Sequence, residues 1–249
     1  MILNSETPVV VTGGASGLGA AVARGFADIG VPVGVLDMEV PCDADLAHAI
    51  CDVTNADAVA QALATLRKIN GQERICVHCA GIAPAAKTVS RGAAHDAELY
   101  ARVVAINLIG TFNVASQSAL GMSSAAPLNN DGERGVIINT ASIAAYEGQM
   151  GQAAYASSKA GVAGLTLPMA RDLAKSGVRV MAIAPGIFAT PMVTGFPQDV
   201  QDALAQTSEF PKRLGRVAEF SSLVQHIATN TMLNGEVIRL DAATRMQAS

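Results

Sequence analysis

The chain has 249 residues, 17 basic and 21 acidic, for a formal net charge of −4, and half of its residues are apolar. A mean hydropathy of +0.33 with so little net charge excludes a disordered chain, and mild acidity without a basic cluster argues against a nucleic-acid or anionic-membrane surface. The length can bury a proper core, and no linker, repeat or low-complexity tract divides it, so residues 1–249 read as one domain. Short apolar, β-branched runs predict strands at residues 9–12, 31–36, 49–52, 75–78, 136–139, 178–184 and 236–240. Most are continuous rather than alternating, which is how strands covered on both faces read. Helical patterns lie between them at 17–29, 55–69, 96–118, 153–175 and 217–228. Strand and helix alternate from the start, which predicts an α/β fold with a doubly wound parallel sheet and right-handed crossovers.

The apolar excess does not read as a membrane segment. The longest uncharged stretch, 103–130, is broken by Asn107, Thr111, Asn113, Ser116, Gln117 and Ser118. Residues 1–7 carry no basic region and include Glu6, so no leader is visible and the cytoplasm is the expected location. Four cysteines, Cys42, Cys51, Cys76 and Cys79, are too few for a disulfide framework in a chain of this length. Cys76 and Cys79 form a C-x-x-C, but on a strand positions three apart face opposite sides, and His48, His95 and His226 stand at no ligand-like spacing. Buried thiols and no metal site are the expectation.

Two segments fall outside the alternation. Residues 84–94 read as a polar loop after the fourth strand. Residues 186–213, punctuated by Pro191, Pro197 and Pro211 and containing an apolar helical piece at 200–205, read as a substrate lid. Long loops at the carboxyl ends of strands are where open α/β sheets bind ligands.

Thr12-Gly13-Gly14-Ala15-Ser16-Gly17-Leu18-Gly19 joins the first strand to the first helix. Glycines here tolerate positive φ and let a pyrophosphate approach the backbone, while the helix N-terminus offers free N–H groups. Asp37 ends the second strand 18 residues after Gly19. A carboxylate there accepts from the adenosine ribose hydroxyls and repels a 2′-phosphate. With Met38 next to it and no Lys or Arg in the loop, NAD is favoured over NADP. Asp52 and Val53 would reach the adenine edge, and Ala80-Gly81 closes the fourth strand beside the cofactor.

Tyr155 and Lys159 stand at i and i+4 of a helix, so both project from one face, and Ser142 follows the fifth strand 13 residues before the tyrosine. A phenol of pKa ~10 is a poor base at neutral pH, and a nearby ammonium favours its ionised form. Such a phenol can take a hydroxyl proton while hydride leaves the carbon.

The glycine loop, Asp37, Asp52-Val53, Cys79-Ala80-Gly81, Asn107, Ser142, Tyr155, Lys159 and Pro185-Gly186 occur in an order that resembles the short-chain dehydrogenase/reductases. The resemblance covers essentially the whole chain. It implies a one-domain Rossmann fold, a seven-stranded parallel sheet with helices on both faces, and a homotetramer. It implies Tyr155 as base, Ser142 on the substrate oxygen, and Lys159 on the nicotinamide ribose while tuning Tyr155. Asn107 would hold a proton-relay water, and Thr190 would orient the nicotinamide carboxamide.

Further stretches narrow the resemblance. Gly135-Val136-Ile137-Ile138-Asn139-Thr140-Ala141-Ser142, the run from Glu147-Gly148-Gln149 through Gln152 to Tyr155, Leu167-Pro168 with Ala170-Arg171-Asp172-Leu173, and the run from Asn234 to Asp241 are similar to the type II 3-hydroxyacyl-CoA dehydrogenases, also called type 10 17β-hydroxysteroid dehydrogenases. That group implies NAD-dependent interconversion of a 3-hydroxyacyl-CoA and its 3-ketoacyl-CoA, with Gln152 beside Ser142 and Tyr155 at the substrate. The same chemistry on a hydroxysteroid, secondary alcohol or other ketone is the alternative, and a non-catalytic NAD-binding protein a further one. Lys212 and Arg213 are the candidate partners for CoA phosphates. The chain departs from the group at His78, where Asn is usual and a core role is expected, and at Asp241-Ala242-Ala243, where Asp-Gly is usual. The uncharged helix around 103–118 and the Ala-rich helix of Tyr155 are the expected subunit contacts.

Overall fold

β-Branched runs with no room for solvent on either side assemble into the centre of the molecule, which the computed structural model describes over residues 1–41, 43 and 45–248; Cys42 lies outside them. The strands are β1 (Val9–Thr12), β2 (Val33–Asp37), β3 (Ala47–Ile50), β4 (Ile75–His78), the short pair β5 (Val89–Ser90) and β6 (Ala93–Ala94), β7 (Gly135–Thr140), β8 (Val178–Pro185) and β9 (Val237–Leu240). The helices are α1 (Gly17–Ala27), α2 (Ala56–Asn70), α3 (Ala97–Val104), α4 (Gly110–Ser124), α5 (Ala153–Leu173), α6 (Pro191–Thr194), α7 (Gln198–Gln206) and α8 (Val217–Thr229). Seven strands, all parallel, form one sheet in the order β3-β2-β1-β4-β7-β8-β9. Strand order reverses between β1 and β4, and a crevice opens there at the carboxyl ends. The expected Rossmann fold is what forms.

Alternate side chains of each strand enter two separate cores. Val9, Val11, Val35, Val77, Ile138 and Ile183 pack with Phe26 of α1 and Phe220 of α8 on one face. Val10, Leu36, Cys76, Ile137 and Val180 pack with Leu63 and Leu66 of α2 and Val114 and Met122 of α4 on the other. Buried charges tie the layers together. Arg179 of β8 pairs with Glu133 at 3.0 Å and donates to the carbonyls of Ile227, Ala228 and Leu233, while Arg67 and Ser118 both bond Glu73.

Four local features differ from the sequence expectation. The third strand starts two residues earlier than its apolar run, because an edge strand is set by its single partner, with Ala47 opposite Gly34. The loop at 84–94 holds the β5–β6 hairpin, whose turn residues Arg91 and Gly92 both have positive φ, as a two-residue primed turn requires. The helix predicted at 96–118 runs on to Ser124 and contains a π-turn at Ala105–Ile109. By length and composition the stretch Ala97–Ser123 could cross a membrane, with a mean hydropathy of 1.3. Here its inner side packs on α2 and the sheet, and its polar groups are used internally, with Asn113 donating to the Val53 carbonyl at 3.0 Å.

After β9 the chain turns through Ala242 and Ala243 at φ +51° and +59°, the left-handed region that a Cβ disfavours. Replacing Ala242 by glycine should raise unfolding free energy by about 1 kcal/mol. Equilibrium urea unfolding measures this, and an unchanged or lowered midpoint would contradict the strain.

Candidate active site

The turn after β1 decides where the cleft lies. Thr12 Oγ1 accepts the N–H groups of Cys79 and Ala80, both at 3.2 Å, and draws the end of β4 against the glycine loop. Gly13, at φ +65°, leaves no room for a side chain, since a Cβ would stand 2.6 Å from the Ala80 nitrogen. At Gly19 a Cβ would run into the Gly13 carbonyl. No side chain caps α1, so its first N–H groups remain available to an anion. Asp37 Oδ2 accepts the Ala15 N–H at 2.9 Å, which binds the end of β2 to the same loop.

A cleft of about 820 Å³ opens over these loops. Gly13, Ser16, Gly17, Leu18, Gly19, Asp37, Asp52, Val53, Cys79, Ala80 and Gly81 line one part, and Pro185, Gly186 and Thr190 from the end of β8 line another. Ser142, Gln152, Tyr155 and Lys159 line it as well. Asn107 stands behind the wall. It is fully buried in the π-turn, accepts from the Ile82 N–H at 2.9 Å and donates to the Ile82 carbonyl and Ser158 Oγ. Its side chain thus fastens the segment after β4 to the helix that carries Tyr155.

At the other end, Ser142 Oγ accepts the Ala144 N–H at 3.1 Å, which orients the hydroxyl into the cleft. Lys159 is 5% exposed, and its Nζ donates to the Thr140 carbonyl at 2.7 Å and stands 5.9 Å from the centre of the Tyr155 ring. Burial pulls its pKa down to about 8. Burial raises the Tyr155 phenol, and the nearby Ser142 hydroxyl works against that rise.

His78 lies in the core as expected. Its Nδ1 donates to Asn139 Oδ1 at 2.6 Å and its Nε2 faces Cys76 Sγ at 3.4 Å, and burial holds its pKa down at about 4. Cys76 joins the α2–α4 core while Cys79 packs on the opposite side, and burial pushes the two thiols up to about 12 and about 11. They do not form a redox pair.

The segment after β8 is pinned where Phe188 bridges to Gly215 and stacks edge-on against Phe220. Lys212 and Arg213, the expected CoA-phosphate pair, are not among the residues that line the cleft. Arg213 forks onto Glu219 at 2.6 and 2.9 Å, and Lys212 lies 3.7 Å from Glu209. Among the wall residues that were not singled out from the sequence are Arg102, Phe188, Met192 and Met246. Arg102 was legible as a cation five residues before Asn107, but no local signal brings a residue near the C-terminus to this wall.

Fold and cleft together define a Rossmann-type dinucleotide-binding protein. The short chain dehydrogenase family profile matches residues 7–201, and the chain belongs to that family of oxidoreductases. It is 49% identical over 248 residues to the 3-hydroxyacyl-CoA dehydrogenase type-2 of Bos taurus, covering 96% of this chain and 95% of the relative. To the Drosophila melanogaster protein of the same name it is 47% identical over 256 residues, with 99% of each covered. The crystal structure of 3-hydroxyacyl-CoA dehydrogenase type-2 from Mycobacterium avium superimposes with a TM-score of 0.90 at 36% identity, covering 98% of this chain and 97% of that one. A nicotinamide cofactor follows from the family, and the side-chain-free cradle at Gly13 and Gly19 with the uncapped α1 fits its pyrophosphate.

An ammonium held at pKa about 8 and released to about 10.5 on unfolding binds fewer protons folded than unfolded between those values. The contribution of Lys159 to stability should therefore rise with pH across that window, by on the order of 3 kcal/mol in the unliganded protein, against the opposite pull above pH 9 of the buried thiols Cys76 and Cys79. Lys159→Met should flatten the rise; an unchanged slope in denaturant titrations at stepped pH would contradict the burial.

Proposed function

We propose that the protein is an NAD-dependent dehydrogenase that interconverts a 3-hydroxyacyl-CoA and its 3-ketoacyl-CoA. The carrying observation is one cleft with a glycine cradle and Asp37 at one part and Ser142, Tyr155 and Lys159 at another. The near-half identity to relatives named for that activity supports the substrate class. Asp37 supports NAD, because its carboxylate lines the cleft and makes no ion pair among the described residues, so a 2′-phosphate would meet uncompensated negative charge.

Gly13, Ser16, Gly17, Leu18 and Gly19 would hold the pyrophosphate, Asp37 the adenosine ribose, Asp52 and Val53 the adenine edge, and Lys159 the second ribose. Cys79, Ala80 and Gly81 would floor the cofactor, with Pro185, Gly186 and Thr190 beside the nicotinamide. NAD, when bound, supplies the hydride acceptor. Ser142 donates a hydrogen bond to the substrate oxygen, and Gln152 lines the same end. Tyr155 takes the hydroxyl proton in oxidation and returns it in reduction. Lys159 adds positive charge beside the phenol, and Asn107 keeps the Ile82 segment and the Tyr155 helix in register. Residues 186–213 cover the substrate as a lid.

The engagement of Arg213 by Glu219 favours a second reading, in which the same chemistry acts on a hydroxysteroid or free secondary alcohol. Arg102 remains as a cation at the cleft, with no ion pair among the described residues. For assembly we propose a homotetramer. Ile109 at the end of the π-turn, Phe112 and Leu120 on α4 and Leu167 on α5 are 44–66% exposed, and covering them gains roughly 25 cal/mol per Å². Sedimentation as a monomer would overturn this assembly.

The deciding experiment compares kcat/KM for 3-hydroxybutyryl-CoA, its 2-methyl relative, free secondary alcohols and a hydroxysteroid, each with NAD and with NADP. The thioesters with NAD should lead. Activity confined to alcohols or steroids removes the thioester reading, and a preference for NADP removes the Asp37 argument. Tyr155→Phe should lower kcat by about 10³-fold while NADH still binds.

A further inference from the structure

The chain beyond β9 takes no part in the steps above, yet it is fastened to the cleft at several points. Arg239 donates to Glu147 Oε1 at 2.8 Å, to Asp241 Oδ2 at 2.7 Å and to the Thr244 carbonyl at 3.0 Å. The other Glu147 oxygen accepts the Met246 N–H at 3.0 Å. Gln149 Nε2 donates to the Gln247 carbonyl at 3.1 Å, and the Met150 N–H donates to the Ala248 carbonyl at 3.0 Å. At its start, the Ala242 carbonyl accepts from the N–H groups of Glu209 and Phe210, at the far end of the lid segment. The tail is thus a strap, running from the lid to the loop between Glu147 and Gln152.

That loop belongs to the reaction end of the cleft. Glu147 stands five residues beyond Ser142 and five before Gln152, and both of those residues line the cleft. Met246 lines it too and is half-buried. Other residues of the wall have little freedom. Ile143 and Ala144 are buried in a 3₁₀ turn that Ser142 caps, and Phe188 is stacked on Phe220. Met246 differs in kind. Its main chain is anchored by Glu147, whose carboxyl Arg239 and the Met246 amide hold below the usual carboxylate range, while its unbranched thioether is left to fill space. Changing this side chain alters the room in the cleft without removing any bond that holds the strap.

We infer that Met246 is a specificity-determining residue, whose side chain closes the substrate end of the cleft and limits the alkyl chain carried beyond the reacting carbon. The inference rests on the thioester reading for the nature of the substrate, and on the strap alone for the position of the wall. A hydrophobic wall discriminates between chain lengths by the methylenes it admits or excludes.

The test is kcat/KM for 3-ketobutyryl-CoA and 3-ketododecanoyl-CoA with wild type, Met246→Ala and Met246→Trp. The alanine variant should raise the long-to-short ratio about tenfold, and tryptophan should lower it by a similar factor. Circular dichroism confirms folding; if the tryptophan variant does not fold, the alanine ratio decides. Ratios within about twofold of wild type in the folded variants overturn the inference. If wild type turns over neither thioester, the thioester reading fails while the wall remains testable. The same ratios are then read on 2-butanol and 2-decanol, with the same shifts expected and the same null result overturning it.

Discussion

The close approach between the turn after β1 and the end of β4 governs the rest of the site. Thr12 holds two successive N–H groups of β4's continuation, and Gly13 carries no Cβ where that backbone passes. A side chain there would push the turn off the sheet and take Asp37 with it, because Asp37 is bonded to Ala15 of the same turn. The crevice at the switch point is thus a consequence of one contact that only glycine permits. The parallel register of β1 against β2 and β4 then carries that placement across the sheet.

The reaction end depends on a different compromise, the burial of an amine. Lys159 has one resolved hydrogen-bond partner, the Thr140 carbonyl, and sits where water is scarce. Desolvation lowers its pKa, and the same scarcity of water raises that of Tyr155. Two groups that ordinarily titrate close together near pH 10 are driven apart, the amine down and the phenol up. Neighbouring dipoles then matter more than they would in water, which is why the Ser142 hydroxyl can act on the phenol.

The apolar excess in the composition is only partly spent on the two cores. Cores on either side of the sheet absorb the β-branched strands and the inner faces of α1, α2, α4 and α8. Ile109 of the π-turn and Phe112 and Leu120 of α4 remain outward, and residues 186–213 leave Met192 and Phe210 exposed. Surface of this kind on a helix otherwise locked to the sheet suits contact with another folded surface. The polar residues that broke the long uncharged stretch are used within the protein, as Asn107 and Asn113 demonstrate.

Sequence alone determined the order of strands and helices, the parallel sheet, the glycine turn and the spacing of Ser142, Tyr155 and Lys159. All of these rest on short-range signals: β-branched runs, tolerance of positive φ and helical periodicity. Tertiary structure decided what depends on a distant partner. The β3 boundary follows from the Gly34 pairing, and Arg213 is engaged because Glu219 lies across the start of α8. Asn107 faces Ile82 and Ser158 through a π-turn that periodicity does not register. Met246 reaches the cleft because Glu147, 99 residues earlier, accepts its N–H. No local pattern encodes such a bond, since its free energy exists only once β9 and the loop after β7 lie side by side.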